Sequence, residues 1–203
     1  MIYINHDKKY IFVRTAKTGS TSLLHSLRSI GGQKRIWHQC PYDKNHIPAD
    51  YIKNNYTKYF KNYFTFGFVR NPWSRMVSVW KMNMRFHRNT PDFKDYVKSI
   101  PAFEWMPKNP KRKGKKTPRE VWLYKYSSMY EFTNGCDFVG KLENLQQDFN
   151  IVCEKIGVPH RQLPHVNKTK HKHYTEYYDN ETREIVAEKY AKDIECFGYK
   201  YGG

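Results

Sequence analysis

Apolar and polar positions alternate in blocks along this chain, and each block boundary carries loop chemistry. Residues 10–14 (Tyr-Ile-Phe-Val-Arg) form an apolar run. It alternates too little for a half-exposed strand, which predicts a buried strand of a parallel sheet. From Ser20 to about Ile30, the residues Leu23, Leu24, Leu27 and Ile30 share one helical face, and Gly31-Gly32 stops the helix. Residues 38–46 read as a polar loop with Pro41 inside it and Pro48 just after it, followed by a short helix over 49–59.

A second apolar strand spans 64–69 and ends in Arg70-Asn71-Pro72-Trp73-Ser74-Arg75. Pro72 suits the first turn of a helix that reaches about Arg85. A third strand is predicted over 137–141, leading into a helix over 143–156. Leu145, Phe149, Val152 and Ile156 form its stripe, and Gly157 ends it. An amphipathic helix over 182–194 turns Ile185, Val186, Ala187 and Tyr190 inward. Strand, helix, strand, helix is the order of an α/β sheet. Residues 108–119 and 160–173 are basic, irregular segments read as exposed loops.

No repeat and no break in composition divides residues 1–203, so a single domain is expected. Its 203 residues suffice for a real core. Hydrophobic residues are 39% and aromatic residues 17%, which excludes a disordered chain. No run of about 18 apolar residues occurs, so no membrane span is expected. Residues 1–9 lack the apolar core of a signal peptide, which predicts a soluble cytoplasmic protein. Cys40, Cys136, Cys153 and Cys196 are far apart and read as free thiols. His171 and His173 lack a matching Cys or acidic pattern, so no metal site is expected. The formal charge of +17 points to a solvated basic surface or an anionic partner, without choosing between them.

The chemistry concentrates where apolar runs end. After the first strand, Thr15-Ala16-Lys17-Thr18-Gly19-Ser20-Thr21-Ser22 combines hydroxyls, one ammonium and a glycine at a helix start. Backbone N–H groups there can surround an anion, and the helix dipole adds positive potential. The nucleotide-triphosphate loop has Gly, four residues, then Gly-Lys-Ser/Thr. Here Lys17 precedes Gly19 and the early glycine is missing, so an ATPase or GTPase reading is weak. After the second strand, Arg70 stands where open α/β sheets bind ligands. Ser78 lies about two helical turns on, on the side of Arg70 and Ser74. An arginine fork with a hydroxyl fixes a dianionic phosphate.

These two elements resemble those of sulfotransferases. Lys17-Thr18-Gly19-Ser20-Thr21-Ser22-Leu23 is similar to their 5′-phosphosulfate loop. Residues 66–78, from Phe66-Gly67-Phe68-Val69-Arg70 to Ser78, resemble their 3′-phosphate element. Further similarity lies in residues 45–49, 137–145, 163–167 and 197–199, in family order along nearly the whole chain. The nearest branch by these motifs is the carbohydrate sulfotransferases, including heparan 2-O-type enzymes and compact bacterial relatives.

The resemblance implies a P-loop-NTPase-like three-layer fold with a central, mainly parallel sheet flanked by helices. It implies 3′-phosphoadenosine 5′-phosphosulfate (PAPS) as donor, adenosine 3′,5′-bisphosphate as product, and no required metal. Carried over by position, Lys17 contacts the 5′-phosphosulfate. The backbone N–H groups of Thr18, Gly19, Ser20 and Thr21, with the hydroxyls, hold the same group. Arg70 and Ser78 hold the 3′-phosphate. The implied acceptor is a hydroxyl of a saccharide, acidic ones included; lipid, small alcohol and peptide tyrosine stay open at this level.

A sugar hydroxyl needs a base, which contributes about 10²–10⁴-fold. His46, in the segment resembling the family's His-containing loop, is the first candidate and His38 the second. Residues 21–103 contain no Glu, which favours His. Glu143 reads as a helix-start acid, and Trp73 and Trp122 as core. Lys108, Lys111, Arg112, Lys113, Lys115, Lys116 and Arg119 could steer an anion. His165, Asn167, Lys168 and Lys170 match a late family segment near the donor. The competing readings are a nucleotide kinase-like phosphoryl transferase, a basic nucleic-acid-binding protein, and a sulfotransferase-like protein without activity. The missing loop glycine opposes the first, and the absence of a recognised binding motif opposes the second.

Overall fold

The computed structural model describes residues 2–31, 33–36, 46–86, 88–100, 127–164 and 172–203. Five strands build one sheet: β1 (Ile2–Asn5), β2 (Tyr10–Val13), β3 (Gln33–Ile36), β4 (Phe64–Val69) and β5 (Phe138–Lys141), in the order β3-β1-β2-β4-β5. The helices are α1 (Ser20–Arg28), α2 (Ala49–Asn55), α3 (Thr57–Asn62), α4 (Pro72–Phe86), α5 (Phe93–Lys98), α6 (Met129–Thr133), α7 (Leu145–Lys155), α8 (Asn180–Lys189) and α9 (Ala191–Phe197).

The expected α/β architecture, a central sheet with helices on both faces, is present. Its parallel part carries the site. β2 pairs with β4 from Tyr10–Phe64 to Val13–Gly67, and β4 pairs with β5 from Phe66–Phe138 to Val69–Lys141. In this register β4 and β5 end level and β2 ends two residues earlier. The segments after Val13, Val69 and Lys141 therefore emerge at the carboxyl ends of the parallel strands, where open α/β sheets bind ligands.

Side-chain alternation divides the core between two faces. Tyr10, Phe12, Phe66 and Phe68 pack with Leu23, Leu24 and Leu27 of α1 and with Phe149 and Val152 of α7. The Phe12 and Phe66 rings stack at 5.2 Å. On the other face Ile4, Ile11 and Val13 meet Ala49 and Ile52 of α2, and Val69 meets Met129 and Tyr199. Trp73, Met76, Val77, Val79 and Trp80 seat α4 against Phe93, Val97 and Val186. Gly140 leaves room for the Phe68 ring, whose nearest atom would lie 2.5 Å from a Cβ there.

Several boundaries differ from expectation. β3 and β1, which pair antiparallel and extend the sheet beyond β2, were not anticipated. The helix expected over 49–59 breaks at Tyr56 (φ −135°, ψ 39°) into α2 and α3. The helix expected over 182–194 starts earlier, where the Asp179 carboxylate accepts from the Thr182 N–H at 2.9 Å. It breaks at Tyr190 (φ −113°, ψ 25°), whose ring is buried. Asp137, expected within the third strand, instead accepts from the N–H and hydroxyl of Thr65 at 2.7 and 2.8 Å. A 3₁₀ turn, Leu142–Asn144, precedes α7. His38, Cys40, Trp122, the 108–119 loop and residues 165–171 lie outside the described residues. Among the described residues, no helix is long and apolar enough to cross a membrane.

Candidate active site

The first wall of the site is the turn from β2 into α1. Two left-handed residues, Lys17 (φ 66°) and Gly19 (φ 72°), reverse the chain before the helix. The Gly19 carbonyl accepts the N–H groups of Ser22 and Leu23 at 3.0 and 3.3 Å. A Cβ on Gly19 would stand 2.8 Å from Leu142 Cδ1 and 3.0 Å from Leu145 Cδ2, so glycine is required twice over. No side chain caps α1, and its first turn holds no acid. Its positive end therefore remains open to an anion.

Thr15 and Thr18 brace this turn from inside. Their hydroxyls lie 2.7 Å apart, both side chains are buried, and the Thr15 hydroxyl also donates to the Phe68 carbonyl of β4. The Thr18 hydroxyl thus faces the fold rather than the cavity, although the resemblance had it among the anion ligands. Arg14 Nε donates to Ser20 Oγ at 3.1 Å.

The second wall is the start of α4. Arg70 reaches Ser74 Oγ through Nε and Nη2 at 3.1 and 2.8 Å, and the Lys17 carbonyl through Nη1 at 3.3 Å. The two elements are therefore joined directly. Asn71 caps α4: its Oδ1 accepts from the N–H groups of Trp73 and Ser74 at 3.1 and 3.2 Å. Its own N–H donates to Glu143 Oε1 at 2.8 Å, and its amide donates to the Lys200 carbonyl at 3.0 Å. Glu143 Oε2 accepts from the Tyr199 hydroxyl at 3.2 Å. Glu143 is thus a bracket for the arginine loop. Arg75, buried to 2% exposure, spans the Ala16 carbonyl at 3.2 Å and the Ser127 carbonyl at 2.9 Å.

Between these walls lies a cavity of about 440 Å³, within the ~300–1,000 Å³ typical of small-molecule sites. Lys17, Gly19, Ser20, Thr21, His46, Arg70 and Ser78 all line it, so one space brings together these seven sequence-predicted site residues, and Thr18 is not among its lining. Arg14, Lys81 and Arg85 also line it and were missed. Lys81 and Arg85 follow Ser78 on one helical face, a spacing that a helical projection of α4 reveals. Met82, Phe86 and Leu142 supply apolar lining.

The lining holds five cationic side chains and no carboxylate among the described residues. Burial pulls the Lys17 ammonium below its ordinary pKa, with Arg70 and Arg85 adding repulsion. Burial likewise lowers Arg70 to about 10, against the attraction of Glu143; it stays charged at neutral pH. His46 is 6% exposed, and its Nδ1 lies 3.0 Å from the Arg14 carbonyl. Burial first, then the charge of Arg14, pushes its pKa down to about 3, so the ring is neutral at pH 7. Among the described residues, no cluster of His, Cys, Asp and Glu could hold a metal.

A model of the Sulfotransferase family matches residues 1–200. An uncharacterized protein of Archaeoglobus fulgidus is 28% identical over 137 residues, which cover 63% of this chain and 97% of that protein. A sulfotransferase crystal structure from Alicyclobacillus acidocaldarius aligns with a TM-score of 0.42 and 15% identity, over 75% of this chain. The chain spans 60% of that structure's length.

Proposed function

Because this chain belongs to the sulfotransferase family, we propose that it transfers a sulfuryl group from PAPS to an acceptor hydroxyl, that of a saccharide. The observation that carries this reading is one cavity bounded by two joined cationic elements, with His46 in its lining. A donor with anionic groups at both ends of a nucleoside matches two such elements. Residues 1–203 act as one catalytic domain.

The loop N–H groups of Thr18, Gly19, Ser20 and Thr21, with the Ser20 and Thr21 hydroxyls, hold the 5′-phosphosulfate. Lys17 donates to the oxygen that bridges phosphorus and sulfur. Arg70 and Ser78 hold the 3′-phosphate. The acceptor oxygen attacks sulfur in line, and the bond from sulfur to the bridging oxygen breaks. Its electron pair stays on the 5′-phosphate, where Lys17 and the loop dipoles meet the growing charge. His46 takes the acceptor proton, and the negative charge of the bound donor offsets the nearby arginines and favours the imidazolium that forms. His46 Nδ1 donates to the Arg14 carbonyl, because a carbonyl can only accept, so Nε2 carries the basic lone pair. No metal takes part in these steps.

Titration calorimetry with adenosine 3′,5′-bisphosphate tests the donor assignment, and micromolar binding is expected. Absence of binding at millimolar ligand to folded protein would sink it. Mass spectrometry of a glycan panel incubated with PAPS tests the acceptor class: a gain of one sulfuryl group on a saccharide supports it. Transfer only to lipid, alcohol or tyrosine acceptors would replace it.

A further inference from the structure

The proposed donor site accounts for Lys17, Arg70 and Ser78 but leaves three cationic lining residues without a task. Two of these are already engaged. Arg14 donates to Ser20. Lys81 holds its ammonium 4.6 Å over the Trp80 ring and 5.3 Å from the Tyr177 ring. Arg85 differs: no hydrogen bond or ion pair holds its guanidinium among the described residues, although it lines the same cavity as Lys17. It lies two turns beyond Ser78 on the same face of α4, about 10 Å along the axis. α4 therefore presents Ser78 at one level of the cavity and Arg85 at another.

Lys17 and Arg85 come from different elements and line the same cavity, where burial, then Arg70, then Arg85 disfavour the Lys17 ammonium. Among the described residues no carboxylate lines the cavity between them, and an anion that both contact would relieve the repulsion of two like charges facing one space. The 3′-phosphate already has Arg70, which is tied to Ser74 and to the Lys17 carbonyl. The remaining anionic group beside Lys17 is the phosphosulfate.

Resting on the sulfotransferase reading, we infer that Arg85 is a further catalytic residue, a second cation that contacts the non-bridging sulfuryl oxygens while Lys17 serves the bridging oxygen. The planar guanidinium fork suits two oxygens of one tetrahedral group. Holding them orients the sulfur–oxygen bond for in-line attack. The bond that forms joins the acceptor oxygen to sulfur, the bond that breaks joins sulfur to the bridging oxygen, and the acceptor proton goes to His46. Arg85 itself exchanges no proton.

Two nucleotides separate this role from general attraction. Adenosine 5′-phosphosulfate keeps the sulfuryl group and lacks the 3′-phosphate; adenosine 3′,5′-bisphosphate has the reverse composition. Arg85 is exposed, so Arg85→Ala should fold. By calorimetry it is expected to weaken binding of the 5′-phosphosulfate about tenfold, or about 1.4 kcal/mol, and to leave the bisphosphate within about twofold. Arg70→Ala is expected to weaken the bisphosphate about tenfold or more, and Arg85→Lys to recover part of the affinity lost in Arg85→Ala. Equal weakening of both nucleotides, or of neither, by Arg85→Ala overturns the assignment of Arg85 alone. Failure of the unaltered protein to bind either nucleotide overturns the sulfotransferase reading of the cavity, and this inference with it.

Discussion

His46 Nδ1 stands 3.0 Å from the carbonyl oxygen of Arg14, the residue that follows β2. The carbonyl fixes which ring nitrogen carries the proton. The bond also ties the histidine to the chain just after β2, where the turn into α1 begins. Enclosure of the ring keeps it neutral: burial, the Arg14 charge and the Arg75 charge all oppose protonation, and only the Arg14 carbonyl favours it. We expect His46→Ala to reduce turnover about 10²–10⁴-fold while leaving bisphosphate affinity within threefold. Steady-state rates set beside calorimetry check this, and unchanged turnover removes His46 as the base.

The same depressed pKa makes stability depend on pH. The unfolded ring titrates near 6.5 and the folded ring near 3. Between these values the unfolded chain binds a proton that the native ring refuses. The contribution is therefore fully present above pH 6.5 and is lost as pH falls toward 3. Urea midpoints measured from pH 8 to pH 4 should fall through that window. The fall should be shallower in His46→Gln, and an unchanged slope in that variant counts against a buried neutral ring.

Arg70→Ala and Ser78→Ala both remove ligands proposed for the 3′-phosphate. Arg70 also bonds Ser74 and the Lys17 carbonyl, so its loss disturbs both walls. We expect Arg70→Ala to weaken bisphosphate binding by roughly 1.5–3 kcal/mol, the worth of a charged hydrogen bond. Ser78→Ala should cost roughly 0.5–1.5 kcal/mol. Affinity by calorimetry at fixed salt decides, and a larger loss from Ser78→Ala than from Arg70→Ala reverses the ranking.

Arg75 spans two buried carbonyls, those of Ala16 and Ser127. Arg75→Ala strands both acceptors, and we expect a stability loss of roughly 2–4 kcal/mol. Arg75→Lys should recover less than half, since one ammonium does not reproduce a fork that serves two carbonyls. Chemical denaturation measures both variants.

Gly19→Ala places a methyl group 2.8 Å from Leu142 Cδ1 at φ 72°. Left-handed strain and the leucine contact together should cost roughly 1–3 kcal/mol. Because the displaced leucine borders the cavity, bisphosphate affinity should fall as well. Unaltered stability and affinity would mean that the turn tolerates a side chain.

The proposed pair Arg70 and Ser78 stands out in the chain because strand end and helix start are local patterns, and both residues line the cavity. The same reasoning read Ser20 to Ile30 as a helix and seated Leu23, Leu24 and Leu27 in the core, as found. A helical projection of α4 puts Arg85 on the face of Ser78, but only tertiary packing decides that this face borders the loop of Lys17.

What the sequence by itself determined is thus the α/β class, the strand-loop-helix units at 10–28 and 64–86, and the residue types at their turns. Short-range sterics and hydrophobic periodicity fix those within a few residues. Only the tertiary structure decided that the Thr18 hydroxyl turns inward, that Glu143 brackets Asn71, and that His46 meets Arg14. These contacts depend on buried hydrogen bonds and unscreened charge between segments remote in sequence, which exist only once the sheet aligns the ends of β2, β4 and β5.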